Sequence, residues 1–377
     1  MPDRPLHILS VFGTRPEAVK MAPVVERLRG TPGVDSKVCV TAQHRQMLDQ
    51  VLELFDIQPD FDLDIMRPDQ ALSESMSVML TRLEPIMGTA QPDWVLVQGD
   101  TSTVVAAGLL AYYHRIRVGH VEAGLRTGDK WQPFPEEINR KLASVVTDLH
   151  FAPTQQARQN LVREGYPDED IVVTGNPVID ALQHILTLDY DLYQGPLSGI
   201  GRDRRIVLVT AHRRENFGQP LLNIFHALRD LAERYAGTVE FVYPVHMNPN
   251  VHGPAHENLD GIENVRLLEP LDYLPMAHLM RKADLILTDS GGLQEEGPAV
   301  GTPVLVMRSV TERPEAVKAG VAQLVGTEVE SIRQHATRLL DDPAAHAAMA
   351  QAANPFGDGH AAQRIVDALL SRSREAP

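Results

Sequence analysis

Cysteine is almost missing from this chain: Cys39 is the single one in 377 residues. One thiol excludes an internal disulfide and a thiolate metal site, and its setting in the strand-like "SKVCVTA" marks a buried structural group. Long apolar runs are missing too, none approaching the roughly 18 residues that a membrane helix needs. The first apolar stretch, "LHILSVF", is short and has no small-residue cleavage site, so it reads as a first strand rather than a leader. A cytoplasmic protein is the expectation. Positive charge is scarce, 35 basic against 50 acidic residues for a net charge of −15. That field repels nucleic acid and acidic membranes, and no basic run offsets it. An anionic ligand would have to be small and gripped by a few focused Arg and His residues. The GxGxxG dinucleotide fingerprint is absent after the first strand, where "GTRPE" stands instead, so a nicotinamide cofactor loses support.

What is present is ordinary globular material, 43% hydrophobic and 23% charged, in a chain too long for one core. Short β-rich runs alternate with helical stretches: "LHILSVF", "KVCVTA", "DWVLVQG", "RVGHV", "LHFAP", "DIVVTG", "RIVLVTA", "VEFVYPV", "NVRLLE", "ADLILTDS", "PVLVM" and "AQLVG". That alternation predicts α/β architecture with parallel sheets, and twelve strands predict two Rossmann-like domains. A join is expected near Thr174, in "TGNPVID". The final "GDGHAAQRIVDALLSR" has helical spacing and could pack on either domain.

The six letters "RPEAVK" occur twice, at Arg15–Lys20 and Arg313–Lys318. Pro suits a first helical turn and Glu suits the helix dipole there. Arg before the helix does not cap it, but does favour an anion. In open α/β sheets ligands gather at the carboxyl ends of strands, so the loops after each strand are where chemistry belongs. After "DWVLVQG" comes Asp100, which could equally be a helix cap. After "RVGHV" comes Glu122 and a long polar loop leading to Glu136, Glu137 and Arg140, either glutamate of which could be a dipole partner. In the second half, His212, Arg213, Arg214 and Glu215 follow one strand, and Ser290, Gly291 and Gly292 follow another just before a helix, where backbone N–H groups approach a phosphate closely. One half thus supplies carboxylates and the other phosphate-type donors. His246, His252 and His256 in "VHMNPNVHGPAH" are read as a solvated loop, since Pro and Gly break any common face, and no metal is expected.

Together "VFGTRPEAVKMAP", "VCVTAQHRQMLDQ", "VGHVEAGLRTGD", "FPEEINR", "TAHRREN", "VYPVH", "LTDSGGLQEE" and "TERPEAV" closely resemble the non-hydrolysing UDP-N-acetylglucosamine 2-epimerases of bacteria, over nearly the whole chain. The resemblance implies the glycosyltransferase B-type fold, two Rossmann-like domains around a cleft: 1–173, completed by a returning C-terminal helix 357–377, and a UDP-binding domain 174–356. It implies interconversion of UDP-GlcNAc and UDP-ManNAc for cell-surface polysaccharides, by a homodimer without a cofactor. Carried over motif by motif, it makes Lys20, Asp100, Glu122, Glu136 and His212 catalytic. It sets Arg15, His212, Ser290, Gly291, Gly292, Glu296 and Arg313 around UDP, with Leu271 and Met276 bordering uracil. Gln43, His44, Gln46, Gln70, Arg213 and His246 match positions for a second, activating UDP-GlcNAc. Gln132 departs from the "SP" common before this motif. A glycosyltransferase of the same fold, a hydrolysing epimerase and a non-catalytic UDP-sugar sensor are the alternatives.

The chemistry asks for such residues. C2 of the sugar bears an acetamido group with no carbonyl beside the ring carbon, so its hydrogen is not acidic. Breaking the C1–O bond to UDP gives C1 oxocarbenium character, makes that hydrogen labile and leaves a glycal. Two acid–base groups on opposite faces and strong diphosphate stabilisation are then required.

Overall fold

Runs of β-branched and apolar residues with no polar alternation set the strands, as expected where helices cover both faces of a parallel sheet. "WVLVQ" at Trp94–Gln98 and "VEFVYP" at Val239–Pro244 are buried at every position. The computed structural model describes residues 4–41, 45–65 and 70–374, with 45–47 as backbone only. It divides into two compact units, Met1–Ala181 with Phe356–Pro377, and Leu182–Pro355.

The first unit holds β1 (Leu6–Phe12), β2 (Val34–Val40), β3 (Phe61–Asp62), β4 (Trp94–Gln98), β5 (Arg117–Val121), β6 (Leu149–Ala152) and β7 (Ile171–Val173). Their order is β3-β2-β1-β4-β5-β6-β7, with every pairing parallel. The second unit holds β8 (Arg205–Thr210), β9 (Val239–Pro244), β10 (Val265–Leu268), β11 (Leu285–Thr288), β12 (Val304–Val306) and β13 (Ala322–Leu324). Their order is β10-β9-β8-β11-β12-β13, again parallel throughout. Each sheet therefore reverses its order once, between β1 and β4 and between β8 and β11, and those are the places where such folds hold ligands.

All twelve expected strands are present. The thirteenth, β3, is a two-residue pairing of Phe61 and Asp62 with Cys39 and Val40, too short to leave a pattern in the sequence. Cys39 is buried, and burial followed by the charge of Asp62 pushes its thiol up to about 12. The division between units falls inside the helix Pro177–Ile185, beyond Thr174. The first turn of that helix is bound to the returning chain: Asn176 N donates to Phe356 O at 2.7 Å, and the Asp180 carboxylate accepts from Ala361 N and Ala362 N at 3.1 and 2.9 Å. Among the described residues no helix is long and apolar enough to cross a membrane.

The C-terminal helix Ala361–Arg374 belongs to the first unit. It buries Ile365, Val366 and Leu369 against that unit, and Ser373 Oγ accepts from Trp94 Nε1 at 2.8 Å. Leu369 is fully buried, so Leu369→Ala is expected to cost about 2–5 kcal/mol, the usual range for an unfilled core leucine. Urea unfolding followed by Trp94 fluorescence reads this out; an unchanged midpoint would mean that the helix is only loosely attached.

Candidate active site

The loop after β1 is tight because Gly13 comes close to two threonines: a Cβ there would lie 1.9 Å from Thr41 Oγ1 and 2.9 Å from Thr103 Oγ1. Thr14 then caps the helix Arg15–Arg29 and Glu17 closes a capping box. Glu17 does more than cap. Its Oε2 accepts from Gly13 N and Thr14 N at 2.9 and 2.7 Å, and its Oε1 accepts from Thr101 Oγ1 at 2.6 Å. Burial raises its pKa, against the lowering effect of those bonds from Thr101, Gly13 and Thr14. Arg15, the first residue of the helix, is half-buried. One turn on, Lys20 Nζ donates to Glu122 Oε2, which also accepts from Gln98 Nε2 at 2.6 Å.

Glu122 stands just past β5 with φ +65°, a left-handed backbone that costs a residue with a side chain about 1–2 kcal/mol. Asp100 stands just past β4. The structure corrects its reading as a cap: Thr101 is the N-cap of the helix Ser102–Tyr113, because the turn through Gly99 brings Asp100 one residue too early. The Asp100 carboxylate instead pairs with Arg140 at 2.6 Å, and its backbone O accepts from Asn139 Nδ2 at 2.9 Å. The helix Glu136–Val145 separates its two leading glutamates. Glu137 is fully buried and accepts from Thr127 N, Gly128 N and Arg140 Nη1 at 3.1, 3.2 and 3.1 Å. It holds the polar loop. Glu136 Oε2 is buried with no hydrogen-bond partner among the described residues. The first unit thus brings Lys20 to Glu122, and Asp100 to the helix that begins with Glu136.

In the second unit Asp289 organises the strand ends. It is fully buried, and its Oδ2 accepts from His212 N, Arg213 N and Asn216 Nδ2 at 2.8, 2.8 and 3.0 Å. Its Oδ1 lies 3.6 Å from His212 Nδ1. The His212 ring stacks on His246, centroids 5.5 Å apart. On the turn after β11, Ser290 N donates to Thr288 Oγ1 at 2.9 Å. A Cβ on Gly291 would meet Arg313 Nη1 at 2.9 Å and Arg213 Nη2 at 3.2 Å, so two guanidinium groups converge over this glycine. Arg313 is buried, its Nε donating to Glu295 at 2.5 Å. Glu296 lies beside Gly292 and accepts from Tyr273 OH at 2.8 Å. Leu271 is buried, and Met276 is half-buried in the helix Tyr273–Lys282.

Of the expected regulatory set, Gln43, His44 and the side chain of Gln46 lie outside the described residues. Gln70 Oε1 is buried without a partner among them. Arg213 stands with Arg313 over Gly291, and His246 stands on His212, so these two share the surroundings of the UDP candidates. Of the segment read as a solvated loop, the part holding His246 is loop, whereas His252 and His256 lie in a helix, Pro249–Leu259, started by Pro249 and by Asn248, whose side chain accepts from Asn250 N. The gap left by Pro254 inside it does not stop the helix.

Gln98, Asn216 and Asp289 were not singled out from the sequence. Asp289 had a signal: it is the first residue past a strand, immediately before Ser-Gly-Gly. Gln98 had none, because its partner Glu122 is defined only by the pairing of β4 with β5.

Two doubly wound parallel units, one presenting carboxylates and the other guanidinium groups around a Gly-Gly turn, define the glycosyltransferase B-type class of nucleotide-sugar enzymes. Within that class the UDP-N-acetylglucosamine 2-epimerase family model matches residues 26–370, and the chain belongs to this family. It is 54% identical over 369 residues to the probable UDP-N-acetylglucosamine 2-epimerase of Ralstonia solanacearum, covering 96% of this chain and 98% of that one. It is 52% identical over 370 residues to the UDP-N-acetylglucosamine 2-epimerase of Escherichia coli K12, covering 97% and 98%. Among solved structures it is similar to the UDP-GlcNAc 2-epimerase of Neisseria meningitidis bound to UDP-GlcNAc, with TM-score 0.92, 48% identity, and 97% of this chain and 100% of that chain covered.

The different settings of the paired glutamates predict different costs. Glu137→Ala leaves Arg140 Nη1 and two loop amides without their buried acceptor, while Asp100 still holds Arg140, and should destabilise the protein by about 1–3 kcal/mol. Glu136→Gln should leave the melting temperature within the ordinary scatter of a surface change. Equal melting curves for both variants would contradict the scaffold role of Glu137.

Proposed function

We propose that this chain interconverts UDP-GlcNAc and UDP-ManNAc without net hydrolysis, by eliminating UDP to 2-acetamidoglucal and adding it back. We place this activity in the cytoplasm, in a homodimer, as a supply for cell-surface polysaccharide synthesis. The observation that carries the reaction is a set of three carboxylates, Asp100 and Glu122 at strand ends and Glu136 at a helix start. Glu122 is buried with a Lys20 cation and a Gln98 amide on one oxygen, Asp100 is oriented by Arg140, and Glu136 keeps a buried oxygen unpartnered.

In this reading the C1–O bond breaks with its electron pair leaving on UDP. A carboxylate takes the C2 proton as the C1–C2 double bond forms. A second carboxylic acid then protonates C2 from the opposite face, and the diphosphate oxygen attacks C1. Asp100, Glu122 and Glu136 are the candidates for the two proton transfers. Lys20 orients Glu122. His212, Arg313, Arg15 and the backbone of Ser290, Gly291 and Gly292 stabilise the departing diphosphate, where charge develops. Glu296 accepts from ribose hydroxyls, and Leu271 and Met276 border the base.

The homodimer has its own support. Ile138, Leu142 and Val145 lie along one face of the helix Glu136–Val145 and are 37%, 49% and 73% exposed. Tyr112 and Tyr113, at the end of the neighbouring helix, are each 63% exposed. An apolar stripe of this kind suits a second copy of the chain. Leu142→Glu is expected to shift the light-scattering mass from dimer to monomer; a wild-type monomer would remove the assignment.

The elimination route fixes the isotope outcome. In D2O the UDP-ManNAc formed should carry one deuterium at C2 and none elsewhere on the ring, read by NMR. Asp100→Asn, Glu122→Gln and Glu136→Gln should each be slowed by about 10²–10⁴-fold, the usual contribution of a general acid or base. Product that retains protium at C2, formed at full rate in D2O, would overturn the mechanism.

A further inference from the structure

Asp289 is completely buried, yet only one of its two carboxylate oxygens is satisfied. Oδ2 takes three N–H donors from the loop that follows β8, whereas Oδ1 has no hydrogen-bond partner among the described residues. A buried carboxylate oxygen left bare is costly, so it calls for a donor. The group facing it is His212 Nδ1 at 3.6 Å. That is longer than a hydrogen bond, and contacts of this kind tighten when a site fills.

We propose that Asp289 is a positioning residue for His212, with Oδ1 holding the Nδ1 proton so that Nε2 is the nitrogen offered to the diphosphate. The assignment rests on the reading that His212 works on UDP. The chemistry follows from the two ring nitrogens: when one donates to a fixed acceptor, the other is set. With Nδ1–H held by Asp289, the imidazolium can donate from Nε2 to a phosphate oxygen and the neutral ring can accept there. A ring whose Nδ1 only accepts cannot become an imidazolium and brings no positive charge to the leaving group. The groups facing the ring are Asp289, Arg213 and His246. Burial lowers the affinity of His212 for a proton, Arg213 and His246 add to that lowering, and the Asp289 charge opposes it. Tyr243 OH donates to Ala211 O at 2.7 Å, so its proton is committed there and is not offered to the imidazole.

Asp289→Asn is the informative variant. The two backbone amides and Asn216 Nδ2 can only donate, so the side-chain oxygen of the new amide must stay beneath them and its NH2 must face Nδ1. The loop is kept and the polarity at His212 is inverted. In 15N NMR of the UDP complex, wild-type His212 should show a protonated Nδ1, as the neutral Nδ1–H tautomer or the imidazolium. Asp289→Asn should move it to the Nε2–H tautomer. Turnover of UDP-GlcNAc should fall by about 10–100-fold, as when an orienting partner is lost, with a melting temperature near that of wild type. An Nε2–H tautomer in the wild type, or wild-type turnover with an unchanged tautomer in the variant, would overturn the assignment. If the variant does not fold, the wild-type spectrum alone decides. The tautomer needs only UDP binding to be read, so a protein that fails to epimerise would refute the reaction while the spectrum still judged Asp289.

Discussion

A buried carboxylate at each sheet's point of reversal is the constraint on which the rest of the site hangs. Between β1 and β4 it is Glu17, which ties the Gly13–Thr14 turn to Thr101. Between β8 and β11 it is Asp289, which ties the His212–Arg213 turn to the end of the neighbouring strand. In parallel sheets the loops leaving two neighbouring strands diverge at this place, and a crevice opens. The amides lining it have no ladder partner, and a buried carboxylate beside them satisfies them. Arg15 and Asp100 are then set one residue from the bonds of Glu17, and His212 and Arg213 are set directly by Asp289, with Ser290 next to it in the chain. A shortened or neutral side chain at either position would misplace several site residues at once.

The second unit deals with its buried arginines in a way that limits what they can offer a ligand. Arg308 is paired with Glu215 at 2.6 Å and Glu312 at 2.8 Å, and Arg313 with Glu295 at 2.5 Å and Glu312 at 3.7 Å. Burial works against ionising Glu312, but the bond from Arg308 and the charges of Arg313 and Arg308 outweigh it and hold its carboxyl at about 2. Two guanidinium groups among three carboxylates leave no positive surplus. Arg213 supplies one: it has no ion-pair partner among the described residues, and its Nε is buried without an acceptor. Pairing on the carboxylates fixes Arg313 in direction, which suits the geometry of a phosphate. Over Gly291 the charge without a carboxylate partner among the described residues is therefore that of Arg213.

Strands were legible because a fully buried parallel strand is a continuous apolar run, and twelve such runs became strands. β3 was not, since two residues carry no period. The helix Pro249–Leu259 was missed because Pro254 and Gly253 were weighed as breakers while the start signals, Asn248 and Pro249, were not. Candidate site residues at strand ends can be named from the sequence for a topological reason: the end of a parallel strand is where ligands gather, and the residue after it can be read off directly. Their partners were not. Glu137 and Glu136 are adjacent and chemically identical, and only the folding back of Thr127–Gly128 makes the first a scaffold. Asp100 and Thr101 compete for one cap, and the turn geometry at Gly99 decides between them.

The repeated "RPEAVK" shows how far identical letters can diverge. In the first copy Arg15 is the first residue of a 15-residue helix, Thr14 caps it, and Glu17 turns back to bind the loop amides. In the second, Arg313 itself occupies the N-cap, with no side-chain cap, before a helix of only five residues. The residue ahead of each Arg accounts for the difference. Thr14 has a hydroxyl to accept from the third helical amide, whereas Glu312 is committed to Arg308. Without that cap the second copy turns its Arg inward onto Glu295, and Arg313 N donates to Thr311 Oγ1 instead. The shared feature is the arginine at the mouth of a turn; in the first copy the glutamate that follows binds the loop amides.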